Sequence, residues 1–326
     1  MLRFLLIMTC ALFIVPYTAM AAEDSTEKNE YEERMSLYKS IQSVTHVPWT
    51  FLAAVDQYEK HIHKEHASNQ FISITIPIER WAGPTNPSSH HAQEEDTISI
   101  FNGLGKDGDG DGIADQTNDL DILYTMASYL SGYGTTDQDL KIAVWNYYQR
   151  DLSVQAISNN AKVFETFQTV ELTEHRFPVP LSYNYSYRST WGDARGFGGR
   201  RIHEGTDIFA NYGVPVRATA YGVVEMKGWN RYGGWRIGIR DTSNTYHYFA
   251  HLNGFEKGVK PGQVVKPGDV VGYVGATGYG PPGTSGKFPP HLHYGMYRDN
   301  GHSEWSYDPY PHLRAWERET RKLLQK

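Results

Sequence analysis

Two short segments in the C-terminal half carry side chains that could bind one metal ion. His203-Glu204-Gly205-Thr206-Asp207 places an imidazole and a carboxylate four residues apart, and His291-Leu292-His293 places two imidazoles two residues apart. Because side chains alternate between the faces of a β-strand, each pair can point to one side if its segment is extended. Three such groups suit zinc and leave a fourth position for water, as in catalytic zinc sites. An H-x-H pair also arises by chance among 14 histidines, so the prediction depends on both segments together.

A third histidine, His251 in Phe249-Ala250-His251-Leu252, lies between these segments. In this order the segments resemble the signature of the lysostaphin/LytM-type zinc endopeptidases of peptidoglycan, over roughly residues 177–310. The resemblance implies that His203, Asp207 and His293 bind zinc, which activates a water molecule and polarises the scissile carbonyl. It also implies that His291 is the general base and then the donor to the leaving amine. His251 would stabilise the oxyanion or share the proton transfer.

Three features of this half bear on the groove around the predicted site. Phe249 stands where the family commonly has tyrosine, which would remove a hydroxyl group from the groove wall. The loop 277–290 is longer than the family's Gly-rich turn and is expected in the same wall. His247 lies four residues before His251, so a regular strand predicts that it supports the site or lines the groove. These differences would alter substrate preference rather than the hydrolysis itself.

The elements that must position these groups are short strands. Residues 214–226, 246–251 and 270–274 have extended patterns, and Trp235, Ile237 and Ile239 alternate with polar or small residues. Many short strands with glycine at the turns predict an antiparallel β domain, in which the histidines lie on the floor of a groove. Prolines 309 and 311 precede a closing helix.

The N-terminal half has helical periodicity instead. Apolar residues recur with i, i+3, i+4, i+7 spacing over 51–62, 120–130, 140–148 and 154–164, which predicts four amphipathic helices with a core of their own. Residues 71–78 alternate and predict a short extended segment. The prediction is therefore an α+β chain of two domains. A helical, lysozyme-like domain spans 22–165, a linker spans 166–180, and the β domain spans 181–326.

One loop of the helical half matches a calcium-binding EF-hand pattern. Acidic residues occupy its positions 1, 3, 5 and 9, namely Asp107, Asp109, Asp111 and Asp115. Gly112 falls at position 6, but Asn118 stands at position 12, where a bidentate Glu belongs. Affinity should therefore be reduced unless Asp119 contributes. The sequence predicts a structural calcium ion, and the alternative is a flexible acidic loop.

Glu59 is a second candidate for chemistry in this half. The segment 53–59 resembles the helix that carries the catalytic Glu of lytic transglycosylases, and Trp145-Asn146-Tyr147 is similar to a later Tyr-Asn motif of that family. Lys60 stands where that family usually has Ser, and Trp145 replaces Tyr. Three interpretations stay open: a glycan-binding domain without activity, a working transglycosylase, or an acidic residue on a solvated helix edge.

The first 21 residues have the pattern of a secretory signal peptide. Arg3 precedes an apolar run over residues 4–15, and Ala19-Met20-Ala21 offers a cleavage site. The run is shorter than a membrane span requires. Cleavage would remove Cys10, the single cysteine, so the mature chain would lack disulfides and a cysteine nucleophile. The net charge of −6 gives no indication of a nucleic-acid partner.

These observations together predict a secreted zinc endopeptidase whose substrate is peptidoglycan. The pairing of a lysozyme-like half with this catalytic half resembles the sporulation endopeptidases of the LytH type in endospore-forming bacteria. That resemblance implies the L-Ala–D-Glu bond in spore cortex as the target, and the cell wall or the intermembrane space of the forespore as the location. The alternative from another class is a catalytically inactive scaffold that binds peptidoglycan or a partner in the same groove. The oligomeric state is left open.

Overall fold

The computed structural model describes residues 17–63, 71–87, 93–196 and 199–325. The helices within these ranges are α1 Tyr17–Thr45, α2 Trp49–Ile62, α3 Ile78–Trp81, α4 Glu95–Ile100, α5 Asp119–Ser131, α6 Asp137–Tyr148, α7 Asp151–Phe167 and α8 Tyr310–Leu323. The strands are β1 Tyr185–Tyr187, β2 Ala194–Arg195, β3 Arg201–Ile202, β4 Thr206–Ala210, β5 Pro215–Arg217, β6 Gly222–Asn230, β7 Gly234–Asp241, β8 Thr245–Phe255, β9 Val264–Val265, β10 Val270–Val274, β11 His291–Asp299 and β12 Glu304–Tyr307.

Helices α2, α5, α6 and α7 confirm the four amphipathic helices predicted from periodicity. On α2 the stripe of Leu52, Val55 and Tyr58 is fully buried and packs against α7. The sequence did not reveal α1, which contacts α2 through a buried ion pair of Arg34 with Asp56. Of the predicted signal peptide, residues 1–16 lie outside the described ranges, and the backbone of 17–21 begins α1.

The segment 72–77 is extended, as its alternation predicted, but it joins no sheet. Its buried side chains are Ile72, Ile74 and Ile76. Carboxylates of the neighbouring helices accept its backbone hydrogen bonds: Asp119 from Ile72 N at 3.1 Å, and Asp56 from Ser73 N. Side chains thus replace the strand partner that an extended backbone would otherwise need.

The C-terminal half is built on one antiparallel sheet. Its strands lie in the order β1-β4-β11-β8-β7-β6-β9, with β12 on β11 and with β10 pairing both β5 and β8. The neighbouring strands β4, β11 and β8 carry the predicted site residues other than His203, and β7 adds to the groove that surrounds them. One face of the sheet packs into a second core, to which Phe177, Val179 and the α8 residues Leu313 and Trp316 contribute. The two separate cores confirm the predicted α+β class and its two domains.

Polar side chains connect the two halves. Arg150, at the start of α7, donates two hydrogen bonds of 2.8 and 2.7 Å to Asp299 at the end of β11. Asn159 of α7 donates to Glu225 of β6 at 2.9 Å, and Glu225 also accepts from Arg240 Nε at 2.9 Å. Burial raises the pKa of Glu225, and the Arg240 guanidinium opposes that rise. The interface therefore combines one ion pair and polar hydrogen bonds with the edge-on contact of the Phe167 and Tyr221 rings, whose centroids are 4.9 Å apart.

We expect Asp299→Ala to lower the free energy of unfolding by about 3 kcal/mol, because it leaves the Arg150 guanidinium without its buried partner. Asp299 is fully buried. A matched control is Asp137→Ala, which removes the pair of Lys141 with an exposed carboxylate and should cost less than about 1 kcal/mol. Thermal and denaturant unfolding measure both effects. Equal losses in the two variants would contradict the role assigned to Asp299.

Candidate metal centre

Three of the predicted site residues bring one ligand atom each to a single point. His203 Nε2 lies 2.8 Å from His293 Nδ1 and 3.0 Å from Asp207 Oδ1, and His293 Nδ1 lies 3.1 Å from Asp207 Oδ1. His203 and Asp207 are buried and His293 is nearly so. The arrangement joins segments about ninety residues apart in the chain.

The sheet register explains half of this convergence. His293 of β11 pairs directly with Asp207 of β4, so both side chains rise from the same face of adjacent strands. His203 precedes β4 and is not in a strand, contrary to the expectation that 203–207 is continuously extended. Four residues of strand would span about 13 Å, which is too far for two ligands of one ion. A bend at Glu204 and Gly205 brings His203 back over the strand.

Position 205 of this bend has no room for a side chain, so it requires glycine. A Cβ atom on Gly205 would lie 2.6 Å from Cε1 of His293 and 2.7 Å from the backbone oxygen of Tyr294. These distances are shorter than side-chain carbons tolerate. The glycine of the H-x-G-x-D segment therefore allows the bend to pack directly on a ligand imidazole.

The protonation pattern of the donor set fits a cation. Nδ1 of His203 lies 2.8 Å from the Thr190 carbonyl oxygen, which fixes the ring proton on Nδ1 and leaves the Nε2 lone pair facing the cluster. Three electron-rich atoms at 2.8 to 3.1 Å repel one another unless a cation lies between them. Tetrahedral ligands of zinc are separated by roughly 3.3 Å, close to this spacing.

Arg195 is a part of the centre that the sequence did not indicate. Its Nη2 donates to Asp207 Oδ2 at 2.7 Å, while Asp207 Oδ1 faces the two imidazoles. The guanidinium orients the carboxylate so that one oxygen is left for an ion. Arg195 belongs to β2, a strand outside the main sheet, and no spacing in the sequence connects it to Asp207.

His251 and His291 lie beside the three donor residues. Their ring centroids are 4.8 Å apart, and His291 Nε2 lies 3.7 Å from Asp207 Oδ1. In both rings Nδ1 lies 2.8 Å from a backbone carbonyl oxygen, of Thr277 for His251 and of Pro289 for His291. Burial lowers the pKa of both imidazoles, that of His251 well below its usual value. Both rings are therefore neutral near pH 7 and present Nε2 as a proton acceptor.

A backbone irregularity turns His251 towards this site. Its φ is +62°, in the left-handed region that residues other than glycine rarely adopt. The pairing of β7 with β8 shifts by one residue at this place, between the partners of Trp235 and Ile237. The extra residue reverses the alternation of faces, so His251 and His247 point to opposite sides. The expectation that His247 lines the groove or supports the site was therefore wrong: it is buried against Asp241 and Tyr294.

The donor residues lie on the floor of a groove of about 630 Å³. Tyr279 and Phe288 of the loop 277–290 form one wall, and the Phe288 ring packs edge-on against His251 with centroids 4.6 Å apart. The loop is therefore part of the groove, as expected. Phe249 is not: it is fully buried in the second core, where its ring packs on Tyr294. The missing tyrosine hydroxyl at that position therefore does not alter the groove.

Two further groove residues, Tyr248 and Arg236, went unnoticed in the sequence. Tyr248 packs edge-on against the His293 ring, with centroids 5.8 Å apart, and the Arg236 guanidinium lies 5.9 Å from the Tyr248 ring centroid. Tyr246 and Tyr248 alternate with apolar or buried neighbours in β8, and this pattern could have predicted that both tyrosines face the groove. Arg236 also falls in an alternating strand, but nothing in the sequence shows that β7 lies beside β8.

The acidic loop brings together a different set from the one predicted. Asp107 and Asp109 approach Asp121, whereas Asp111 and Asp115 are not in this group. Asp107 accepts hydrogen bonds from Gly110 N and Gly112 N. Asn118 caps α5, and Asp119 accepts from the segment 71–72 instead of facing the loop. Calcium binding here stays a prediction: the group contains the predicted residues Asp107 and Asp109, and Asp121 takes the place of Asp111 and Asp115.

The Glu59 carboxylate is buried among polar groups. Its carboxylate is buried, accepts a hydrogen bond of 2.5 Å from the Tyr148 hydroxyl, and lies 3.0 Å from His63 Nε2. Thr75 N completes the surroundings at 3.4 Å. The interpretation of Glu59 as an acid on a solvated helix edge is therefore wrong. Its contacts hold the extended segment and α6 to α2.

Two imidazoles and a carboxylate around one point, with two neutral histidines beside them in a groove, form the kind of site at which a metal-dependent hydrolase holds its ion. Residues 201–305 match the model of peptidase family M23. The chain is also 58% identical over 290 residues to the L-Ala--D-Glu endopeptidase of Bacillus subtilis (strain 168), covering 88% of this chain and 89% of that protein. The chain therefore belongs to peptidase family M23.

Other relatives match a smaller part of the chain. Lysostaphin of Staphylococcus staphylolyticus is 34% identical over 116 residues, which are 35% of this chain and 22% of that protein. The solved catalytic domain of lysostaphin from Staphylococcus simulans is 30% identical, with a TM-score of 0.32, and the match covers 41% of this chain and 93% of that one. Within the described ranges, no helix combines the length and apolar character needed to cross a membrane.

Proposed function

We propose that the chain is an exported zinc-dependent endopeptidase that hydrolyses the amide bond between L-alanine and D-glutamate in peptidoglycan stem peptides. The observation that carries the choice of bond is the 58% identity, over nearly the whole length of both chains, to an endopeptidase named for that bond. Zinc is supported by the chemistry of the donor set, His203, Asp207 and His293. A role in maturation of the spore cortex, in the space around the forespore, is part of the same proposal.

Zinc, when bound, supplies a Lewis acid that polarises the scissile carbonyl and makes water acidic enough to react near pH 7. The chain's own residues direct that chemistry. Arg195 orients Asp207, and the Thr190 carbonyl holds His203 in the tautomer whose Nε2 faces the ion. Tyr248 restricts the ring of His293 from the side. These contacts keep the ligands in place before substrate arrives, which limits the reorganisation that the reaction requires.

His291 and His251 are proposed as the proton-transfer groups. Because both rings are neutral with Nε2 free, either can accept the proton of the attacking water. His291 is the nearer to Asp207 and is assigned as the general base that later donates this proton to the leaving amine. His251 is assigned a share in this proton transfer, because its free Nε2 can also accept the proton of the attacking water. The left-handed backbone at His251 fits such a role, since strained residues cluster at functional sites.

The test is digestion of a defined muropeptide by the purified protein supplied with zinc, followed by mass spectrometry of the products. We expect one fragment that ends in L-alanine on the sugar side and one that begins with D-glutamate. Cleavage at another amide, or no cleavage of muropeptide and intact peptidoglycan, would contradict the proposed bond. Metal analysis of the same sample should find about one zinc ion per chain.

A further inference from the structure

Arg236 is a cation in the catalytic groove without an opposite charge. It projects from β7 into the groove, and its Nε is buried without a hydrogen-bond acceptor among the described residues. Among those residues, no Asp or Glu forms an ion pair with it. Its guanidinium lies beside the Tyr248 ring, at 5.9 Å from the centroid. An arginine in this state has donors available for a bound anion.

The other charged groups that line the groove already have partners or lie further out. Arg195 is paired with Asp207, and Glu304 accepts from Arg240 at 2.8 Å. Glu204 accepts from the Tyr297 hydroxyl at 3.2 Å. Arg201 is exposed and lies over the Tyr232 ring at the rim. Arg236 is thus the half-buried groove cation that lacks a counter-charge within the described part of the chain.

Arg236 is also at a suitable distance from the reacting atoms. Its strand, β7, pairs with β8, and β8 pairs with β11, which carries His293. Two strand spacings amount to about 10 Å between the backbones, and an arginine side chain covers more than half of this distance. The Tyr248 ring lies near both groups, at 5.8 Å from the His293 ring centroid and 5.9 Å from the Arg236 guanidinium. A substrate group that reaches Arg236 must therefore belong to a residue next to the scissile bond.

The proposed substrate has such a group. A D-glutamyl residue carries two carboxyl groups, and the peptide can continue through only one of them, so the other is a free carboxylate. If the free one is the α-carboxylate, standard bond lengths place it within about 4 Å of the scissile carbonyl carbon. We propose that Arg236, with Tyr248 beside it, binds the free carboxylate of the D-glutamyl residue on the leaving-amine side. This inference rests on the proposed function and assigns the residue that recognises the acidic side of the bond.

The experiment compares two peptides that differ only in whether this carboxylate is free or converted to a carboxamide. The proteins are the full-length chain loaded with zinc and its variants Arg236→Gln, Arg236→Lys and, as matched control, Arg201→Gln. We expect the unchanged protein to hydrolyse the carboxylate peptide with a kcat/KM about 10- to 100-fold above that of the carboxamide. Arg236→Gln should remove this preference, mainly by raising KM, and should leave the carboxamide rate within about threefold. Arg236→Lys should retain part of the preference as a point charge. Arg201→Gln should retain all of it.

Other results would overturn the assignment. An equal loss on both peptides in Arg236→Gln would show that the residue only maintains the groove, and unchanged zinc content and Tm would separate this result from misfolding. A preference that disappears in Arg201→Gln but survives in Arg236→Gln would place recognition at the rim. Equal rates of the unchanged protein on the two peptides would show that the carboxylate is not recognised. Failure of the unchanged protein to cut either peptide would contradict the proposed function itself.

Discussion

Replacing His293 with alanine should remove the bound zinc and lower peptide release from peptidoglycan by at least about 1,000-fold. Its Nδ1 lies within 3.1 Å of both other donor atoms, so its loss leaves two ligands, too few for a catalytic site. The Lewis acid lowers the activation barrier by several kcal/mol, and each 1.4 kcal/mol of barrier corresponds to about tenfold in rate. Metal analysis of the purified variant and mass spectrometry of its digests measure the two losses separately.

The matched control is His302→Ala, which removes an exposed histidine outside the groove and should change neither zinc content nor activity. Full activity of His293→Ala with zinc still bound would refute His293 as a metal ligand. A variant without zinc but with full activity would refute the role of the metal while leaving the binding site intact. The circular dichroism spectra of both variants should be unchanged, because His293 lies in the groove and not in the core.

Gly205→Ala should lower activity by about 100-fold although glycine offers no chemical group. The added Cβ would lie 2.6 Å from the His293 ring and 2.7 Å from the Tyr294 carbonyl oxygen. Since that oxygen belongs to β11 and is fixed by the sheet, the His293 ring must move away from its ligand position. Loss of an orienting contact typically weakens metal binding by 10- to 100-fold. Zinc titration by calorimetry and kcat/KM on the muropeptide measure the effect.

A matched substitution is Gly228→Ala in β6, where the added Cβ has nothing within 4 Å. It should leave zinc affinity and activity unchanged. If excess zinc restores full activity to Gly205→Ala, the added Cβ lowers only the affinity for zinc. If activity stays low with zinc fully bound, the bend positions substrate as well as metal. Unchanged zinc affinity and activity in Gly205→Ala would show that a Cβ at position 205 can be accommodated without moving His293.

Periodicity predicted the elements that are held by apolar contacts and failed for those held by polar ones. The stripe of Leu52, Val55 and Tyr58 identifies α2 because each member is buried against another apolar group. Helix α1 places Tyr38 and Ile41 in the first core, but its contact with α2 also depends on Arg34 and Tyr38, which both donate to Asp56, and a hydrophobic pattern cannot register these polar contacts. The same reason explains why Arg195 and Arg236 were not recognised.

The sequence indicated which residues form the candidate site but not how the chain brings them together. Even spacing correctly suggested that His291 and His293 share a face, since both lie in the regular strand β11. It failed for His203, where the chain bends, and for His247, where the extra residue in β8 reverses the faces. A bulge depends on the neighbouring strand and has no fixed local signal, so alternation alone cannot locate it.

The charged interface between the halves has a consequence for recombining this chain with other modules. Asp299 and Glu225 are buried acids of the catalytic half whose partners include Arg150 and Asn159 of the helical half. Transplanting the catalytic half onto a different helical module would leave both acids short of a partner. Asp299 would lose the Arg150 guanidinium, whereas Glu225 would keep its hydrogen bond from Arg240. A graft of the catalytic half would therefore need either an arginine in the place of Arg150 or a replacement of Asp299.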